Sequence, residues 1–417
     1  MRLFWLLLIA LGCVLASSRG DAAAYDFVVV ASSAGPFQSL PPMAPSLDAN
    51  GAVAFVGSGS AGSGQIFVGS QLGCSLDDYV QVSGLPGQPS LSQVNGVGRM
   101  LPNQVAFGAR SSNTDGVYRG SGGSLALVYA GPGDEIDEPA VNSAGTLALI
   151  DGDEIQTATD QIVSTLFSLG DDLPDGNHID LILRPAPDID DAGQVAFFAS
   201  YRDLTAMTCD DKVLLSQDAG SPAVLADGGV VGTDCPFFTL DVTTPFALSA
   251  SGQVAFLGSV EDASQGLIDA VFVDEIAVWN DQLPGFGDSP IPDAVALNGA
   301  GLAAFQLDVA GRHSINLALG DDPLQDKVLA SGDALCGSTV SDVSFHRFGL
   351  NDAGQLALLV RLMDGRSLVV RADPSQGLGG QCETACGPTT WPVPEPEGPL
   401  SEVAAVLALV RIRRRVR

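Results

Sequence analysis

The chain has 417 residues, 46% of them hydrophobic and 16% charged, so it can fill a folded core and is not a disordered polymer. Its formal charge of −30, from 49 acidic against 19 basic residues, excludes a nucleic-acid partner, because phosphate binding rests on basic side chains. Lysine occurs only at 212 and 327 and histidine only at 178, 313 and 346, which leaves little material for histidine metal sites or catalytic relays.

Residues 1–24 open with Met1-Arg2, run apolar from Leu3 to Ala16 and leave through small residues to Ala22-Ala23-Ala24. A basic start, a short apolar stretch and a small-residue exit make a secretory signal peptide. Residues 25–375 then form one repeat domain. The phrase Leu-Asp-Ala-Asn-Gly-Ala-Val-Ala-Phe at residues 47–55 returns in variant form at 141–149, 189–197, 248–256, 297–305 and 350–358, with a degenerate copy, Asn-Gln-Val-Ala-Phe, at 103–107. Its turn positions are Gly51, Asn103, Gly145, Gly193, Gly252, Gly301 and Gly354, spaced 42 to 59 residues apart.

Each part of the phrase has a physical reading. Asp, Asn or Ser at the second position starts a tight turn by bonding to nearby backbone. Gly supplies a positive φ, and Asn, its substitute in the degenerate copy, is the residue that best replaces it there. The Val-Ala-Phe run that follows suits a strand buried on both faces, with Ala allowing close approach. A second strand follows, as at 65–68, 116–119, 270–273 and 367–371, and a third ends in a Gly/Asp loop, as at 125–131, 165–170, 277–280 and 327–332. Four strands per unit of roughly 50 residues is the arithmetic of a propeller blade.

The last unit has no third strand of its own, and residues 26–31 form an orphan third strand before the first phrase. The expected fold is therefore all-β, a seven-bladed β-propeller closed by an N-terminal strand, which removes exposed sheet edges. An open β-array or two β-sandwiches are the alternatives.

The phrase resembles the NxxGxVAF tandem-repeat family of exported bacterial proteins over about residues 27–373. That resemblance implies an exported, surface-associated β-repeat protein and brings no catalytic residues, because the repeated positions are structural. After a Cys/Pro-rich linker at 376–398, the tail at 399–417 is short, apolar and Arg-rich. With Pro394-Glu395-Pro396 before it, the order resembles a PEP-CTERM sorting signal, although the apolar run is shorter than a membrane span needs. Any membrane contact would be transient, through this tail. Removal of both ends would leave a body of about −35.

Six cysteines follow Cys13 of the leader, and an even count in an exported protein favours disulfides. Cys209 and Cys235 bracket an insertion in the longest repeat step and are the first expected pair. Cys382 and Cys386 could pair locally. Cys74 and Cys336 would remain for each other, in the first and last units that a ring brings together. Asp171, Asp175 and Asn177 cluster as calcium ligands do, although Leu173 breaks the EF-hand pattern; calcium is the one cofactor to consider.

No GxSxG, HExxH or P-loop motif is present. The expected function is a non-enzymatic binding or structural module for an extracellular protein or glycan. The alternative is an extracellular hydrolase or lyase using carboxylates in a propeller channel. Convergent carboxylates in a deep cleft at the channel mouth would favour the enzyme, and a flat acidic rim the binder.

Overall fold

The structure is a computed structural model, described for residues 25–374 apart from 60–63, 102–103, 112–113, 132–138, 173–177, 183–185, 203–211, 218–222, 228–238, 241–245, 263–265, 275, 281–290, 310 and 319–325. The described residues form seven antiparallel sheets of four or five strands, one for each repeat, in the arrangement of a β-propeller. The only helical element among them is a 3-10 turn at Leu76–Asp78.

In blades 1 to 6 the strand that leads into the turn pairs antiparallel with the phrase strand after it; it has two residues in blades 1, 3, 4 and 5, is longer in blade 2 (Leu91–Leu101) and blade 6 (Ile291–Leu297), and is reduced in blade 7 to a bridge between Leu350 and Leu356. Blade 1 illustrates the order: Ser46–Leu47, Val53–Gly57, Gln65–Gly69 and Val80–Gln81. Blade 7 is completed from the other end of the chain. The closing strand Tyr25–Ser32 pairs antiparallel with Ser367–Pro374, from Tyr25 opposite Pro374 to Ser32 opposite Leu368. The expected closure is therefore observed, one residue longer at each end than its sequence estimate.

Alternation along the phrase strand explains its composition. In blade 1, Val53 and Phe55 pack with blade 7, whereas Ala54 and Val56 pack with blade 2. In blade 5, Val254 and Phe256 face blade 4, and Ala255 and Leu257 face blade 6. Phe fills the gap to the preceding blade, and the neighbouring Ala leaves room for the next blade to approach. The core is thus a circle of inter-blade layers.

The phrase turn is equally regular. The second-position side chain accepts backbone N–H groups from within the loop: Asp48 Oδ1 from Asn50 and Ala52, Asn298 Oδ1 from Ala300 and Leu302, Asn351 Oδ1 from Ala353 and Gln355. The six glycines of the phrase, Gly51, Gly145, Gly193, Gly252, Gly301 and Gly354, all have φ between 74° and 89°. Asn103, the seventh turn position, lies outside the described residues.

Gly193 isolates the backbone contribution, because a Cβ added there meets nothing within 4 Å. Gly193→Val should therefore cost about 1–3 kcal/mol through backbone strain alone, and Gly193→Asn should cost less, since Asn tolerates this region better. Urea unfolding of the two variants checks this; equal losses would contradict the conformational explanation.

Candidate functional site

The ring places the phrase turns around one end of the central axis. There they enclose a cavity of about 180 Å³ to which all seven blades contribute. The first phrase residue of several blades lines it, as with Leu47, Leu248 and Leu297. Counting back four residues from Asn103 in the degenerate copy gives Arg99 in place of this apolar residue, and Arg99 also lines the cavity.

Arg99 donates from Nη1 to the Ile189 carbonyl at 2.9 Å and from Nη2 to the Leu248 carbonyl at 3.0 Å, and Nη2 lies 3.3 Å from Asp188 Oδ1. The Asp188 side chain is 1% exposed, so its charge needs compensation. Besides Arg99, the backbone N–H groups of Ile189 and Leu248 donate to it at 2.8 Å each. Arg347 donates to the Ala186 carbonyl at 2.9 Å. Both guanidiniums lie against the Phe348 ring, Arg99 at 5.2 Å and Arg347 at 4.7 Å from its centroid, within cation–π range. His346 meets the same ring edge-on at 5.0 Å.

Hydrogen bonds between blades bind the rim. Asn298 Nδ2 donates to the Asn351 carbonyl, and Asn351 Nδ2 donates across the closure to the Asp48 carbonyl. Third-position residues repeat the device with reversed roles: Asp191 Oδ1 accepts the Ser143 N–H at 2.9 Å, and Asp352 Oδ1 accepts the Gly299 N–H at 2.6 Å. Burial raises the pKa of Asp190, against the opposing pull of N–H groups from Gln194, Ala192 and Gly193.

The mouth is therefore neither a cleft of convergent carboxylates nor a flat acidic rim. It holds two arginines on an aromatic ring, with the nearby carboxylates engaged by backbone N–H groups or by Arg99. His313 pairs with Asp342 at 2.6 Å between blades 6 and 7, outside the cavity lining. His178 opens the strand His178–Ile182, which pairs antiparallel with Val195–Arg202.

The remaining sequence candidates fall apart from this mouth. Asp171 is exposed and accepts the Ser168 N–H at 2.8 Å, closing its own turn. Asp175 and Asn177 lie outside the described residues, and among those described no group of three or more His, Cys, Asp or Glu could hold a metal ion. Cys74 and Cys336 are each disulfide-bonded. Cys209, Cys235, Cys382 and Cys386 lie outside the described residues.

The family model described as "Family of unknown function (DUF7453)" matches residues 140–372, and the chain belongs to that family. No curated protein matches. Among solved structures, the chain is similar to a gluconolactonase from Xanthomonas campestris at 11% identity and a TM-score of 0.36, over 84% of this chain and 98% of that one. It is also similar to a catalytically inactive virginiamycin B lyase from Staphylococcus aureus with quinupristin, at 11% identity and a TM-score of 0.39, over 84% and 99%. The Dos1 propeller matches at 12% identity and a TM-score of 0.41, over 88% and 96%.

Proposed function

We propose that this member of DUF7453 is an exported, surface-associated propeller that acts as a non-enzymatic binding module for an extracellular protein or glycan. The observation that carries this reading is the commitment of the mouth's carboxylates. Asp188 is held by Arg99 and two backbone N–H groups, Asp190 closes its own turn, and Asp191 and Asp352 each tie one blade to its neighbour. A general acid or base needs a proton-transfer group free to reach substrate at a matched pKa, and carboxylates engaged in this way hold the ring together instead. Export rests on the leader at 1–24, the NxxGxVAF resemblance and the PEP-CTERM-like tail at 399–417.

The test is a glycan and protein array probed with residues 25–375, with and without calcium. The expected result is saturable binding that leaves the captured ligand chemically unchanged. Release of a cleaved or eliminated product from any captured ligand would replace this reading with the hydrolase or lyase.

A further inference from the structure

The mouth contains two of its own ligand mimics. At blades 3 and 6 the third-position N–H of the turn, from Ser143 and Gly299, points at the rim and receives a carboxylate oxygen from the next blade, Asp191 or Asp352. At blades 4 and 7 the turn has the same backbone bonds, with Gly193 N–H donating to Asp190 and Gly354 N–H to Asn351. There the next blade presents Ala250 or Ala49, neither of which has a side-chain acceptor. The N–H of Asp191 at blade 4 accordingly meets no protein acceptor among the described residues.

Blade 4 is also where Arg99 sits. Its bonds to the carbonyls of Ile189 and Leu248 hold the guanidinium beneath the turns of blades 4 and 5. Those bonds and the contact with Asp188 use three of the five N–H donors that a guanidinium carries. Nε–H and one Nη1–H have no protein acceptor among the described residues, and the Arg99 side chain remains 21% exposed in the cavity wall. A rim N–H and a guanidinium in the wall of the same cavity, where two equivalent turn N–H groups receive carboxylates, suit a planar anion with two acceptor oxygens.

We propose that the mouth between blades 4 and 5 is a subsite for a single carboxylate group, whether on a small organic acid or at the end of a peptide. The carboxylate accepts the Asp191 N–H from the rim and the spare Arg99 N–H groups from below. The acidic body restricts the ligand to one negative charge, since each further charge would meet the repulsion of a chain at −30. The proposal rests on the binding-module reading and names the chemistry of its site.

Calorimetric titration of residues 25–375 tests it with three probes: sodium acetate, triglycine with a free C-terminus, and triglycine amide. Acetate and free triglycine should bind, and the amide should bind at least about tenfold more weakly, the scale of a lost charge-assisted hydrogen bond. Acetate binding alone would assign the site to small organic acids; triglycine binding without acetate binding would assign it to peptide termini. Ala250→Asp copies the protein's own device by placing a carboxylate where Asp191 and Asp352 stand in their blades. It should weaken both carboxylate probes by about tenfold or more with the unfolding midpoint unchanged.

Equal binding of the amide, no binding of either carboxylate, or binding unaffected by Ala250→Asp would each overturn the subsite. The binding-module reading fails separately, through product formation on the array. An array ligand that binds without competition from acetate or triglycine would leave that reading standing and remove this subsite.

Discussion

Deletion of the closing strand, residues 25–32, is expected to abolish cooperative folding of the ring. The strand contributes the buried side chains of Tyr25, Val29, Val30 and Ala31 and continuous pairing along Ser367–Pro374. Tyr25 also donates its hydroxyl to the Gly354 carbonyl, and burial pushes its pKa up to about 12. At about 1.5–3 kcal/mol per large buried apolar side chain, with a modest net gain from the hydrogen bonds, the loss is on the order of 5–10 kcal/mol. A domain is stable by only about 5–15 kcal/mol in total. The deletion would also expose the edge of Ser367–Pro374 and the face of the Phe37, Phe55 and Phe67 cluster, which invites aggregation. Urea unfolding followed by circular dichroism should show no cooperative transition for the shortened chain. An unchanged midpoint would mean that blade 7 is complete without this strand.

The second large effect is expected at Asp188. Asp188→Ala leaves Arg99 without its counter-charge and the N–H groups of Ile189 and Leu248 without their acceptor. Breaking a buried pair from one side costs about 3–5 kcal/mol; the partial exposure of Arg99 places the expected loss near the lower figure, about 3 kcal/mol. Arg99→Leu restores the apolar residue found at this phrase position in other blades. Combined with Asp188→Ala, it should recover part of the loss, because the stranded charge is gone. A double-mutant cycle measures this coupling directly. Additive losses would show that Arg99 and Asp188 stabilise the ring independently.

The fold was legible because its information is local and repeated. Gly193 and its equivalents announce the turn, Val-Ala-Phe announces the doubly buried strand, and the incomplete last unit points to residues 26–31 as its missing strand. The mouth was harder to read. Arg99 left a signal, a charged residue at an apolar phrase position, but only alignment to the degenerate copy exposes it. Asp188 is one acid among 49 and differs from the rest only in what the ring folds around it. Phe348 stands two residues before Leu350, as Phe246 stands before Leu248, but Arg347 falls where other units have small residues such as Ala186 and Ala294. The bonds from Asn298 to Asn351 and from Asn351 to Asp48 cross blade boundaries, so they follow from the circular order and not from any one phrase.

Ring closure is the premise on which the mouth, its arginines and the subsite all depend, and hydrogen exchange of the intact protein tests it most directly. Peptides covering residues 25–32 should be protected as strongly as those covering 367–374, and both should open together in denaturant. The two segments then belong to one cooperative unit although they lie at opposite ends of the domain. Exchange of residues 25–32 at the rate of an unfolded peptide, with 367–374 still protected, would contradict the closed propeller.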